Sequence, residues 1–583
     1  MKKILFLVLV LITLGSCDFS KYMLVKKYNF ETVFEKSEGT ETATYNQVID
    51  FYKQLAEAYP SVSLKEFGKT DSGLPLHLAI FNPDKNFEFD EISNDYSVLL
   101  INNGIHPGES DGIDATMMLF RDLAGDSIKV PKNTVVATIP IYNIGGSLNR
   151  NSTSRTNQNG PKEYGFRGNA RNYDLNRDFI KADTKNAQSF YEIFHTVNPD
   201  VFIDNHVSNG ADYQYTLTHL FTQHNKLGGS LGEYINKKMM PALEDSLKAK
   251  DWDISPYVNV HNQVTEEGFP QFMDWPRYST GYATLWNTLS LMVETHMLKP
   301  YDKRVAGTYE LMRSMINITD AETSVIKDLR TRANRKYLTD RNYPIQFEPD
   351  QENPSKRQFL GYEGEMTPSE ISGDERLKYD REKPFSKEID YYDNYKTTVQ
   401  IEIPRAYVIP QGWWPVLDRL KMNGIKMEAV SRDTTLNVEI YKIEDYKTSP
   451  KAYEGHYPHS DTKVSKTVES VHLRKGDFIV TTFQEGARYL IETLEPQATD
   501  SFFNWNFFDT VLQQKEGFSP YVFEDVAKDL LENDPGLKEE FEEKKRTDPE
   551  FNVNAYAQLD WLHKHSNNYE KAHLRYPIFR LPR

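Results

Sequence analysis

Residues 97–125 set the tightest limit on how this chain can fold. The apolar run Val98-Leu99-Leu100-Ile101 reads as a buried strand, and Asn102-Asn103-Gly104 closes it with a turn signal. A helical spacing of apolar residues, Ile113, Met117 and Phe120, resumes after Asp111 and stops at Gly125. In open α/β sheets, ligands bind in the loops at the carboxyl ends of strands, and here that loop holds His106-Pro107-Gly108-Glu109. A histidine and a glutamate three residues apart can both reach one metal ion. The same pair also arises when a loop histidine happens to precede a glutamate favoured by the positive end of a helix, so it needs company to carry meaning.

Two further strand ends supply that company. Pro199-Asp200-Val201-Phe202-Ile203-Asp204-Asn205-His206 is a short apolar run that closes on a histidine, and Leu289-Ser290-Leu291-Met292-Val293-Glu294-Thr295-His296 closes on a glutamate. Strand-like runs at 76–81 and 135–142, a helical spacing over 46–59, and the helix after Ser110 give the alternation of a mixed sheet covered by helices. Between them a loop at 145–171, rich in Asn, Arg, Gly and Ser, runs into Asp174-Leu175-Asn176-Arg177. Long irregular loops in compact domains tend to be functional.

Taken together, His106-x-x-Glu109, Asp174-x-Asn176-Arg177, His206 after a strand and Glu294 near the domain's end resemble the signature of the carboxypeptidase A-like zinc metallocarboxypeptidases, over about residues 41–321. The resemblance implies an α/β fold with a mixed, largely eight-stranded sheet between helices. It implies that His106, Glu109 and His206 bind one zinc ion and leave a fourth position open, as catalytic zinc requires. Glu294 then corresponds to the general base, Asp174 to the carboxylate that fixes the tautomer of the first histidine, and Asn176 with Arg177 to the pair that holds a substrate's terminal carboxylate. A guanidinium fork suits that last task because it binds a carboxylate bidentately.

The oxyanion-stabilising arginine of the family has four candidates here, Arg150, Arg155, Arg167 and Arg171, of which Arg155 is preferred for its distance along the chain. Tyr278 is the candidate for the tyrosine that closes over substrate, with Tyr282 second. One position departs from the pattern: digestive members carry an arginine where this chain has Gly108, which leaves the metal chemistry intact but removes the basis for borrowing their substrate range. The reading is a peptidase that removes the C-terminal residue of peptides with a free carboxylate. Its rivals are a deacylase of small N-acylated amino acids, which needs the same metal, base and anchor, and a non-catalytic binding protein on the same fold.

The remaining chain is organised around this unit at 41–335. Lys2-Lys3 and the apolar residues 4–14 have the layout of a secretory signal, too short for a membrane anchor, and Leu14-Gly15-Ser16-Cys17 resembles the lipobox of bacterial lipoproteins. Cys17 is the only cysteine, so no intrachain disulfide can form. The expectation is an exported protein, lipid-anchored through Cys17 at a bacterial membrane surface, with a polar tether over 18–40. A net charge of −16 disfavours nucleic acid as a partner. Residues 336–395, dense in charge and proline, read as a linker or covering segment, 396–500 as a smaller accessory β or α/β domain, and 501–583 as a helical tail broken at Asp534-Pro535-Gly536. Within the accessory region, 468–473 and 478–482 are candidates to pair as strands.

Overall fold

Eight strands form the central sheet, and their order explains why three polar strand ends can meet. The computed structural model describes residues 28–92 and 95–583, so the signal, Cys17 and the first part of the tether lie outside the described residues. The strands in chain order are β1 (Val62–Lys69), β2 (Pro75–Phe81), β3 (Ser97–Asn102), β4 (Thr134–Ile139), β5 (Val201–Ser208), β6 (Leu217–Phe221), β7 (Ile254–Pro256), the two-residue β8 (Phe269–Pro270) and β9 (Leu289–His296). All but β8 join one sheet in the order β1-β2-β4-β3-β5-β9-β6-β7. The four central strands β4, β3, β5 and β9 are parallel, β2 and β6 run antiparallel to them on either side, and the mixed eight-stranded sheet implied by the family resemblance is present.

The apolar runs end up where their composition sends them. Every residue of β3, β4 and β5 is buried, which is why these strands lack an alternating polar face. A parallel pair needs a crossover, and the helix Asp111–Ala124 supplies it between β3 and β4, burying Ile113, Met117 and Phe120 and ending at Gly125. Its first turn is clamped from the helix Tyr301–Ala321: Arg304, wholly buried, donates to Asp111 at 3.0 Å, and the Tyr301 hydroxyl donates to Asp114 at 2.5 Å. The loop bearing His106 and Glu109 is thereby fixed at both ends.

The C-terminal half is more ordered than its composition suggests. Residues 336–395, expected as a linker or covering segment, hold β10 (Asn342–Pro349) and a long hairpin of β11 (Ser355–Pro368) and β12 (Glu375–Tyr392). The hairpin buries Phe359, Phe385, Ile389 and Tyr391 against Tyr213, Tyr215 and Phe269, with exposed charged residues between them. β13 (Tyr395–Glu402) pairs with β10. A six-stranded sheet follows, built from β14 (Ala406–Ile409), β15 (Glu428–Ala429), β16 (Thr434–Thr448), β17 (His459–Leu473), β18 (Phe478–Thr481) and β19 (Phe579–Leu581). Residues 468–473 pair with β16 and not with 478–481, which pairs with β14. The helices Pro520–Asn533 and Pro535–Thr547 break where the Asp-Pro-Gly sequence stops the first, yet the tail also returns β19 to the sheet between β14 and β16.

This region is not packed separately. One continuous apolar core contains both the central-sheet residues and Tyr407, Leu420, Tyr489, Phe502 and Trp505. The described part of the expected tether also docks: Thr32 and Glu35 form a capping box on the short helix Val33–Lys36, and Glu35 accepts from Arg121 at 2.7 Å. Among the described residues no helix is long and apolar enough to cross a membrane.

Candidate metal centre and cleft

β3, β5 and β9 are neighbours in the sheet and parallel, so their carboxyl ends open on the same edge. His106 and Glu109 follow β3, His206 lies near the end of β5, and Glu294 sits directly across from His206 on β9. The three side chains His106, Glu109 and His206 converge, and each is 3–4 % exposed. His206 Nδ1 lies 3.2 Å from His106 Nδ1 and 3.0 Å from Glu109 Oε2, and His106 Nδ1 lies 3.2 Å from the same oxygen. Four-coordinate zinc with bonds of about 2.0–2.1 Å holds neighbouring ligand atoms roughly 3.3 Å apart, so the donor set and its spacing fit one such ion. Among the described residues this is the one cluster of its kind.

Each imidazole presents Nδ1 to the centre because its other nitrogen is taken. His106 Nε2 donates to Asp174 Oδ1 at 2.9 Å, and His206 Nε2 donates to Asp204 Oδ2 at 2.8 Å. Asp204 was not singled out in the sequence, although it stands two residues before His206 on one strand and therefore on the same face. It is itself held by the Ser279 hydroxyl and by Asn102 Nδ2 at 3.3 Å. Asp204→Asn would offer His206 an amide in place of a carboxylate. Zinc affinity should fall by about 10- to 100-fold, read by competition with a chelator; unchanged affinity would show that Asp204 does not orient the imidazole.

Charge in the centre is balanced by its neighbours. Burial alone would raise Glu109, but His106, Arg155 and His206 together hold its carboxyl well below the usual range. Asp174 is treated likewise: burial opposes ionisation, while His106, Arg167 and Arg177 keep it ionised. Glu294 differs. Burial, with Glu109 and Asp204 adding like charge, lifts its carboxyl to about 8 despite the opposing His206 and Arg167. A dication beside it would pull that value down.

A cleft of about 570 Å³ opens over these groups. His106, Glu109, His206, Glu294, Asn176, Arg177, Tyr278 and Arg155 all line it. Asp174 stands behind His106 and accepts from the Asn176 backbone at 2.9 Å. Asn176 is fixed by Ser279, whose N–H donates to its Oδ1 at 3.1 Å. The Arg177 guanidinium lies 4.6 Å from the Tyr278 ring. Of the four competing arginines, Arg155 and Arg167 reach the cleft and donate to Glu109 Oε1 at 2.9 and 3.5 Å. Arg150 instead ties down the carbonyls of Thr42, Ala43 and Glu163, and Arg171 that of Asp183. Tyr282 is buried core, hydrogen-bonded to Asn423 at 2.6 Å, so of the two candidates Tyr278 is the one that lines the cleft, where Tyr257 stands as well. Arg277 pairs with Asp500 at 2.6 Å.

The departure at Gly108 has a local cause. A Cβ there would lie 2.5 Å from Arg155 Cδ and 2.9 Å from the Gly165 carbonyl, so the glycine is the space through which Arg155 reaches the centre.

No family model matches the chain. Among curated proteins, "Carboxypeptidase 2" from Trichophyton rubrum is 21 % identical over 492 residues, spanning 80 % of this chain and 84 % of that protein. Its counterpart from Trichophyton tonsurans is 20 % identical over 497 residues, with the same two shares. This chain is similar to these carboxypeptidases along most of both lengths. A match over 80 % of this chain is longer than the part that carries the central sheet, so the similarity extends to C-terminal residues. Among solved structures, a metallo-carboxypeptidase from Burkholderia cenocepacia overlaps 48 % of this chain and 70 % of its own, with 17 % identity and a TM-score of 0.36.

Proposed function

We propose that the protein is a zinc-dependent carboxypeptidase that removes the C-terminal residue of peptides. The observation that carries this reading is the convergence of two Nδ1 atoms and one carboxylate oxygen within 3.2 Å of one another, beside Glu294 and in the same cleft as Arg177. The kinship with fungal carboxypeptidases supports it.

Zinc bound by His106, Glu109 and His206 would polarise the scissile carbonyl and acidify water at its open position. Arg177 and Asn176 receive the substrate's terminal carboxylate, the arginine by its fork and the asparagine by its amide, which sets the last peptide bond over the centre. Glu294, its carboxyl brought down from the metal-free value by the neighbouring dication, takes a proton from the attacking water and returns it to the departing amine. Arg155 donates to the oxygen that becomes negative as the carbonyl is attacked. Tyr278, stacked against Arg177, closes the cleft wall beside the leaving residue.

The test compares a peptide, its C-amidated copy and a set of N-acyl amino acids. Turnover of the free acid with at least a hundredfold loss for the amide is expected; equal turnover of the two would refute an exopeptidase, and preference for the N-acyl amino acids would favour a deacylase. We also propose that the protein is exported and lipid-anchored through Cys17. Fatty-acid labelling should mark the wild-type protein and be lost in Cys17→Ala; label on neither would leave only a cleaved signal.

A further inference from the structure

The wall of the cleft that holds Arg177 is completed from far along the chain. The turn between β16 and β17 brings Tyr453 and Glu454 against the short helical turn Leu175–Arg177. Arg177 Nε donates to the Tyr453 hydroxyl at 2.8 Å, and its Nη1 donates to the Asn176 carbonyl at 2.9 Å. Glu454 Oε2 accepts from the Asp174 backbone N–H at 2.8 Å, across 280 residues. One donor on the inner edge of the guanidinium is thus committed to Tyr453, one to the carbonyl of the preceding residue, and the donors that remain are on the terminal nitrogens.

We propose that Tyr453 and Glu454 are positioning residues for the terminal-carboxylate subsite, so that the C-terminal sheet takes part in substrate recognition. This rests on the reading of Arg177 given above. An arginine side chain otherwise samples many rotamers, and a fork fixed at Nε presents its outer edge in one orientation at a lower entropic cost to the substrate. The turn is built to stay there. The Tyr453 ring stacks on buried Trp505, with centroids 6.1 Å apart and planes 18° from parallel, and Arg277, paired with Asp500, lies 5.1 Å from the same indole. Gly455 has φ +81°, and a Cβ at that position would sit 2.6 Å from the Tyr173 hydroxyl, so the backbone meets the catalytic half as closely as it can.

Tyr453→Phe removes the acceptor and keeps the stacked ring. A merely structural contact would alter the melting temperature or scale kcat, whereas a positioning role raises KM for free-acid peptides by roughly 5- to 10-fold with kcat within about twofold, as expected when one hydrogen bond to a charged group is lost indirectly. The experiment measures wild type and Tyr453→Phe, both zinc-loaded, on a free-acid peptide and its C-amide, with melting temperatures alongside. If wild type discriminates against the amide and the variant shows the raised KM at unchanged melting temperature, the proposal stands. If wild type discriminates and the variant keeps its KM, the positioning role is wrong while the carboxypeptidase reading survives. If wild type ignores the amide, both fall together.

Discussion

Glu294→Gln should retain zinc at one ion per chain and lose roughly 10²- to 10⁴-fold in kcat. Glu294 is not among the three atoms that converge, so its replacement takes no ligand from the ion. It lies across from His206 on the adjacent strand and lines the same cleft. Glutamine keeps the shape and hydrogen-bonding reach of the side chain but can neither take nor return a proton. The variant should also fold at least as well as the wild type in the absence of metal, because a buried carboxyl whose pKa is raised to about 8 must be charged at cost above that pH. The sign follows from linkage: stability conferred by the protonated form is lost as pH rises from the unfolded value of about 4.3 toward 8, and the amide removes that dependence. Hydrolysis at the wild-type rate would remove Glu294 from the mechanism.

His206→Ala should have a still broader effect. It removes one of the three proposed ligands and, in the same step, takes from Asp204 its cationic partner at 2.8 Å and from Glu109 one of several partners at 3.0 Å. Bound zinc should fall from one per chain toward zero in metal analysis, with hydrolysis lost alongside. The metal-free variant should also be destabilised by about 3–5 kcal/mol, the usual consequence of leaving buried charge uncompensated. Chemical denaturation of metal-free wild type and variant separates that loss from the loss of metal. Full zinc occupancy in the variant would place the ion elsewhere.

The centre was legible because each of its parts ends an apolar run. A strand buried on both faces has no reason to stop on His206 or Glu294 unless the strand end faces something polar, and parallel neighbours bring such ends to one edge. What escaped was carried by shorter signals. Asp204 sits inside the run that was read for His206, and only the two-residue period of a strand marks it as its partner. The choice between Arg155 and Arg167 depends on how an irregular loop folds back, which no periodicity records; both reach Glu109.

The C-terminal half was opaque for a different reason. β12 buries only Phe385, Ile389 and Tyr391 among many exposed charges, so its overall composition resembles a linker even though those three keep an even, strand-like spacing. The first described turn of the expected tether hid a capping box, Thr32 with Glu35, behind a polar composition. Tyr453 and Glu454 could not have been found at all from the chain order, since nothing local to a surface turn announces contact with residues 174–177.

The most direct test of the central claim is mass spectrometry of a degenerate peptide mixture incubated with the protein, zinc-loaded in one arm and stripped by chelation in the other. A ladder of products shortened one residue at a time from the C-terminus is expected in the loaded arm, absent after chelation and restored by added zinc. Internal cleavage products, or an identical ladder in the chelated arm, would contradict that claim.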